Sequence, residues 1–291
     1  HADLLRNHPT NAAQRDGGNW LSLGLSSWNT SSTAPGNGRV NCIAIFPNDA
    51  NSILVGSPSG GLWKTTDLGV NWIPLTDHLP TLGVSAIAIN PNNLDEIYIG
   101  TGDSDNADTY SLGVLKSSDG GQTWGTTGLF FDLSENVRTH RLLMHPDNPE
   151  ILYAAMSIGL YRSVNAGLTW EELLTGNVRD FEFHVDDPAI ILVTTNRIFR
   201  SIDGGDNFVS FTTNLPAAND VVRIALAVTE ADPDRIYALF ADDFYNAFQG
   251  LYRSNDAGQT WALQSDTPNI LSSTENGSSL YGQAWYDMVL A

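Results

Sequence analysis

Cysteine is nearly absent: Cys42 is the only one in 291 residues. An intrachain disulfide is therefore excluded, and so is a cysteine-based metal cluster. Cys42 lies in an apolar run, which points to a buried, inert thiol. Basic residues are scarce too. Lys and Arg total 14 against 33 Asp and Glu, a formal net charge of −19. That disfavours nucleic acid and an anionic membrane as partners, since both require basic surface. Uninterrupted apolar stretches are short, and none reaches the roughly 18 residues of a membrane-spanning helix. The chain shows no Ser-His-Asp array, phosphate-binding glycine loop or dinucleotide fingerprint. It opens at His1 without a signal peptide, as a mature or trimmed chain would.

What is present repeats. Ser117-Ser118-Asp119-Gly120-Gly121-Gln122-Thr123-Trp124 reads Ser-x-Asp-x-Gly-x-Thr-Trp, and versions of it occur five times. The third position falls at Asp67, Asp119, Asn165, Asp203 and Asp256, in steps of 52, 46, 38 and 53 residues. Such a period is the mark of a repeat architecture. Each copy predicts a turn. The Asp or Asn oxygen accepts backbone N–H groups, the Gly supplies an unusual backbone conformation, and the aromatic covers the turn. These acidic residues are therefore structural.

A second repeat runs in phase with the first. Phe46-Pro47-Asn48-Asp49, Asn90-Pro91-Asn92-Asn93 and His145-Pro146-Asp147-Asn148 each separate two apolar runs. The unit is strand A, Pro/Asn/Asp turn, strand B, variable loop, strand C, Asp turn, strand D. Four antiparallel strands per unit is a propeller blade, so the expected class is all-β, a β-propeller. Blades are expected near 38–77, 83–127, 136–175, 177–214 and 220–265, with the start of a sixth at 283–291. Residues 1–37 form an N-terminal segment whose stretch 20–25 is expected to close the ring as a lone strand. The last strand is an apparent truncation, with further domains of the same longer chain as partners.

The Ser-x-Asp-x-Gly-x-Thr-Trp turn is similar to the Asp-box, or BNR repeat, of sialidases, of the sortilin (VPS10) luminal domain and of xyloglucanase-type glycoside hydrolases. The stretches around Gly38-Arg39-Val40-Asn41, Ser57-Pro58-Ser59-Gly60-Gly61-Leu62-Trp63-Lys64 and Gly100-Thr101-Gly102-Asp103 resemble propellers of large secreted bacterial surface proteins. The resemblance covers most of 36–291. It implies seven blades in the intact ring and an extracellular or cell-surface location.

In such a ring the B–C and D–A loops share the face where ligands bind, away from the Asp turns. Long loops beside a rigid scaffold are where function tends to sit. One of them holds Asp103, Asp105 and Asp108, either oxygen ligands for Ca²⁺ or a solvated acidic turn. At the start of strand A a common register places Arg39, Arg138 and Arg223, with Arg179 two residues further on. Such a cluster either receives a carboxylate, sulfate or phosphate, or is neutralised by Asp180, Asp103 and Asp287. Tyr110, Phe130, Phe131, Tyr245, Phe248, Tyr281 and Trp285 supply aromatics to the same loops, either as a sugar platform or as packing. His140, His145 and His184 follow the blade spacing, which favours turn and packing roles over zinc ligation.

The reading favoured by the sequence is a non-catalytic binding module of a larger secreted protein, with a glycan or protein ligand on the loop face. The alternative is a glycoside hydrolase. In the xyloglucanase-type family one catalytic Asp lies just before the Gly-Gly-aromatic-Arg/Lys stretch; here Pro58 and Ser59 stand at that place, and the second catalytic Asp belongs to a second propeller. A sialidase reading would cast Arg39, Arg138 and Arg223 with Tyr286 and Asp103, but the Arg-Ile-Pro signature is missing. A sortilin-like peptide binder would require an apolar channel wall.

Overall fold

The computed structural model describes residues 39–291 except 106–108, 273, 287 and 291. The expected ring-closing strand near 20–25, Asp108 and Asp287 lie outside the described residues.

Five four-stranded antiparallel sheets follow one another, each in simple sequence order. The first holds β1 (Cys42–Phe46), β2 (Asp49–Ser57), β3 (Gly61–Thr65) and β4 (Ile73–Pro74). The second holds β5 (Val84–Ile89), β6 (Ile97–Thr101), β7 (Gly113–Ser117) and β8 (Gly125–Phe130). In the third are β9 (Thr139–His145), β10 (Asn148–Met156), β11 (Gly159–Ser163) and β12 (Glu171–Thr175). The fourth comprises β13 (Asp180–Phe183), β14 (Ile191–Thr194), β15 (Ile198–Ser201) and β16 (Val209–Phe211). The fifth comprises β17 (Val221–Val228), β18 (Ile236–Asp242), β19 (Phe248–Ser254) and β20 (Ala262–Ser265). The first strands of successive sheets pack against one another, β1 on β5, β5 on β9, β9 on β13 and β13 on β17. The sheets are thus the blades of a β-propeller, with their first strands innermost.

Burial explains the sequence pattern strand by strand. In blades two, three and four the second strands are covered on both faces by neighbouring blades, so they carry unbroken apolar runs: Ile97, Tyr98 and Ile99 are fully buried, as are Ala154, Ala155 and Met156. Fourth strands lie at the rim and lose the pattern; every residue of β20 is exposed. Blades one and two approach closely at Gly56, where a Cβ would sit 2.4 Å from Cys42 Sγ and 2.9 Å from the Val84 carbonyl oxygen. Burial pushes the Cys42 thiol up to about 12, which leaves it protonated and unreactive at neutral pH.

The Asp turns between third and fourth strands share one hydrogen-bond pattern. In blade two, Ser117 Oγ accepts the N–H groups of Asp119 at 3.3 Å and Gly121 at 2.8 Å, and donates to Asp119 Oδ1 at 2.8 Å. Asp119 Oδ1 then accepts Thr123 N–H at 2.9 Å, and Oδ2 accepts the Thr123 hydroxyl at 2.6 Å. These bonds hold the Asp119 carboxyl down at about 2. The turn carries two consecutive left-handed residues, and the first of them need not be glycine. Leu68, Ala166 and Ala257 occupy that place in blades one, three and five, with φ of 57°, 55° and 53°.

In blades three, four and five that left-handed residue turns its carbonyl toward the preceding blade. Tyr98 donates its hydroxyl to the Ala166 carbonyl at 3.1 Å. Tyr153 and Arg162 both donate to Gly204, each at 2.8 Å, and Arg200 Nε donates to Ala257 at 2.7 Å. The following glycine is pressed by the same neighbour, since a Cβ on Gly205 would lie 2.7 Å from Leu173 and one on Gly258 2.5 Å from Leu192.

The strand expected at 283–291 is not formed among the described residues. Ser272 and Gly282 make an isolated antiparallel bridge, and 284–286 are a turn. This segment folds back over blade five, where Ala284 and Met288 are buried against Ala225, Leu239 and Phe248.

Candidate functional site

The inner ends of four blades are tied together by the loop after β6. Arg39 precedes β1, Arg138 precedes β9, Arg179 precedes β13, and Arg223 is the third residue of β17. Asp103 is fully buried and accepts Arg39 Nη2 at 2.5 Å and Asn41 Nδ2 at 3.2 Å. Its own Oδ1 also accepts Asp105 N–H at 3.2 Å, which turns the chain back on itself. Asp105 then meets Arg223 Nη1 at 3.3 Å, and the Ser104 carbonyl between them accepts Arg179 Nη1 at 2.9 Å. One acidic tripeptide from blade two thereby holds arginines of blades one, four and five.

The charges adjust to this arrangement. Burial pulls Arg39 down, but its bond to Asp103 outweighs that and holds it raised. Burial pushes the Asp105 carboxyl up; Arg223 opposes the rise and Asp103 adds to it. Burial, with the charges of Arg223 and Arg138, pushes Arg179 down to about 10. Burial and the same arginines keep His140 well below its usual value, and its Nε2 lies 3.0 Å from Asn177 Oδ1. The two acids proposed as calcium ligands that can be described are therefore engaged by guanidiniums. Among the described residues no group of three or more His, Cys, Asp or Glu could hold a metal. His145 packs edge-on against Phe183 at 5.7 Å, and His184 Nε2 lies 3.4 Å from Asp234.

Aromatic rings gather beside the arginines. Arg39 stacks over Tyr286 at 4.8 Å, and Trp285 packs on Tyr286 at 5.2 Å. Phe244, Tyr245 and Tyr281 form a second group, with centroids 4.5 and 5.4 Å apart. Phe244 is 81% exposed and Tyr281 66% exposed. Asp242 shapes the loop that presents them: Oδ1 accepts the N–H groups of Phe244 and Tyr245, and Oδ2 that of Ala247. Tyr110 is exposed on its own loop, where its carbonyl accepts Thr81 Oγ1 at 3.1 Å. Phe248 is instead a core residue under blade five. An open cleft of about 550 Å³ lies at the same end of blades three to five, lined by Thr175, Asn177, Asn196, Arg197, Phe199 and Val222.

No family model matches the chain. Curated relatives do. It is 28% identical over 254 residues to a xyloglucanase of a Paenibacillus species, covering 83% of this chain and 22% of that one. It is 27% identical over 257 residues to xyloglucanase Xgh74A of Acetivibrio thermocellus, covering 84% and 28%. The chain thus spans about a quarter of the length of these relatives. Among solved structures, an ancestral GH74 enzyme superposes with a TM-score of 0.63 at 20% identity, over 78% of this chain and 31% of that one. That likeness establishes the β-propeller fold. These findings overturn the non-catalytic binding module favoured by the sequence: the similar proteins are glycoside hydrolases, the reading held there as the alternative.

Sequence reasoning placed the arginines at one end of the blades but missed what joins them, namely the Ser104 carbonyl and the pairing of Asp105 with Arg223. It also passed over Phe244, the most exposed ring of the aromatic group. The signal available for Phe244 was its position beside Tyr245 in a loop of blade five.

Proposed function

We propose that this propeller is part of a secreted glycoside hydrolase that cleaves xyloglucan-type polysaccharide. The observation that carries the reading is the 28% identity to a xyloglucanase over 83% of the chain. The loop end of the blades suits such a substrate. Exposed rings of Phe244, Tyr281 and Trp285 offer apolar faces to sugar rings, and the neighbouring cleft is lined by amide, hydroxyl and guanidinium donors.

Glycosidic cleavage needs two carboxyl groups flanking the bond. Pro58 and Ser59 occupy the place where the xyloglucanase pattern expects an acid, so the carboxyl from this propeller comes from elsewhere. Asp105 has the right character. It is half-buried at the inner end, and burial holds its carboxyl raised, which favours a proton donor to the leaving oxygen. Asp103 is excluded from that role because Arg39 and Asn41 hold it as a buried carboxylate.

The test is release of reducing ends from xyloglucan, followed together with the fall in viscosity. The enzyme that holds this propeller together with the second one should degrade the polymer, and Asp105→Asn in it should lower kcat about a hundredfold or more while the fold persists. Absence of any release by that two-propeller protein would defeat the hydrolase reading. Full activity in Asp105→Asn would defeat the assignment of the acid.

A further inference from the structure

Among the described residues, the guanidiniums of Arg179 and Arg223 at the inner end share one acid, Asp105, which lies 3.3 Å from Arg223, and Arg138 stands at the start of the neighbouring blade three. Asp103 is taken by Arg39, and Asp180 and Glu182 are taken by Arg141. Arg179 bonds a carbonyl, that of Ser104, and has no carboxylate partner among the described residues. Arg138 makes no ion pair among the described residues; its hydrogen bonds run through its backbone to Ser157. Nε of Arg138 and Nε of Arg179 are both buried without a hydrogen-bond partner.

A protein with 14 basic and 33 acidic residues has acid to spare for every arginine. Yet among the described residues Arg138 and Arg179 have no carboxylate partner, and buried cations are costly unless paired. Burial, joined by the charges of Arg223 and Arg138, pushes Arg179 down to about 10. Burial, joined by the charges of Arg179, Arg138 and Arg223, holds His140 well below its usual value.

We propose that Arg138, Arg179 and Arg223 form a receptor for one small oxyanion, the carboxylate of an acidic sugar or an inorganic sulfate. Guanidinium forks are matched to such groups, offering parallel N–H donors to two oxygens. The ligand completes the hydrogen bonding of the cluster and cancels its excess charge. The site takes charge rather than sugar, so it stands whether or not the polysaccharide is cleaved.

Binding is measured by calorimetry and by thermal unfolding with D-galacturonate, sodium sulfate and D-galactose, at ionic strength held constant with sodium chloride. Galacturonate and sulfate should each raise Tm saturably and compete with one another, and neutral galactose should do neither. Response to galacturonate alone assigns the site to carboxylates, and response to sulfate alone assigns it to inorganic oxyanions. Arg179→Gln and Arg138→Gln should each weaken anion binding about tenfold or more. Arg179→Gln should also raise Tm in chloride alone, because it removes an unpaired buried charge, and this readout needs no ligand. Lys64→Gln, far from the cluster on β3, should leave anion binding unchanged. The proposal is overturned if neither anion gives a saturable response, or if both arginine variants bind as tightly as wild type. A fall in Tm of Arg179→Gln in chloride, with the anion response intact, also overturns it.

Discussion

The carboxylate of Asp180 accepts the backbone N–H of Leu226 at 2.9 Å, joining β13 of blade four to β17 of blade five. Its other oxygen receives Arg141 Nη1 from blade three at 2.8 Å, and Phe181 N–H at 3.0 Å. One side chain therefore satisfies donors from three blades. Asp180→Ala should lower unfolding stability by about 3–5 kcal/mol, because it strands the Arg141 charge and a buried N–H. Asp180→Asn should cost less, since an amide oxygen can still accept one of these bonds. Urea denaturation of both variants measures the difference.

Glu182 lies on the same strand and also pairs with Arg141. Burial pushes its carboxyl up to about 7 from an ordinary 4.5, against the pull of Arg141 and with the help of Asp180. The folded state therefore holds this proton over a window where the unfolded chain has lost it. Stability from this group is fully present below about 4.5 and declines as pH rises through about 7. Glu182→Gln should flatten that slope. Denaturant midpoints at pH 5 and pH 7.5, compared between wild type and variant, test it; an unchanged slope would falsify the assignment.

The Asp turns predict opposite outcomes at adjacent positions. Ala166 and Ala257 hold left-handed backbone that a Cβ resists, so Ala166→Gly and Ala257→Gly should each stabilise by about 0.5–1 kcal/mol. Gly258→Ala should destabilise by about 2 kcal/mol or more, because its Cβ would meet Leu192 and its φ is 83°. Thermal unfolding of the three variants should give two rises and one fall.

Phe244 and Tyr281 should matter for ligand and not for folding. Both are exposed, and neither lies in a core cluster among the described residues. Tyr281→Ala and Phe244→Ala should each weaken binding of xyloglucan oligosaccharides about fivefold, worth about 1 kcal/mol, with Tm unchanged. Asp242→Ala should give a similar loss through the loop it shapes. Affinity electrophoresis in xyloglucan gels ranks all three.

Chelation should have no effect on stability. Asp103 and Asp105 have guanidinium partners, so calcium would have to displace Arg39 and Arg223. Unfolding curves with added calcium and with EDTA should overlay.

The blades were legible because their signals are local. A Ser, an Asp and a Gly at fixed spacing make their own hydrogen bonds, so the turn appears in sequence as it does in space. The inner end was only half legible. Arg39 and Asp103 are 64 residues apart, and Arg223 and Asp105 are 118 apart. No periodicity encodes such pairs, because the rotation from blade to blade decides them. The segment after 283 misled for a related reason. Ala284, Met288 and Leu290 carry strand-like apolar character, yet it serves to pack against the core of blade five. The left-handed position of Leu68, Ala166 and Ala257 was hidden because two of the five blades place Gly there and the other residues give no hint of strain.

The contact between an Asp turn and the blade before it has a direction. Tyr98, Tyr153, Arg162 and Arg200 give hydrogen bonds forward along the chain, and Ala166, Gly204 and Ala257 receive them. The giving surface and the receiving surface of a blade are different surfaces. In the language of symmetry this is a heterologous contact, the kind that joins subunits head to tail. Two blades cannot saturate it by facing each other. It leaves a giving surface at one end of the series and a receiving surface at the other. From blade two to blade five each junction is made by the same kind of hydroxyl- or guanidinium-to-carbonyl bond, and no single blade needs to carry the instruction.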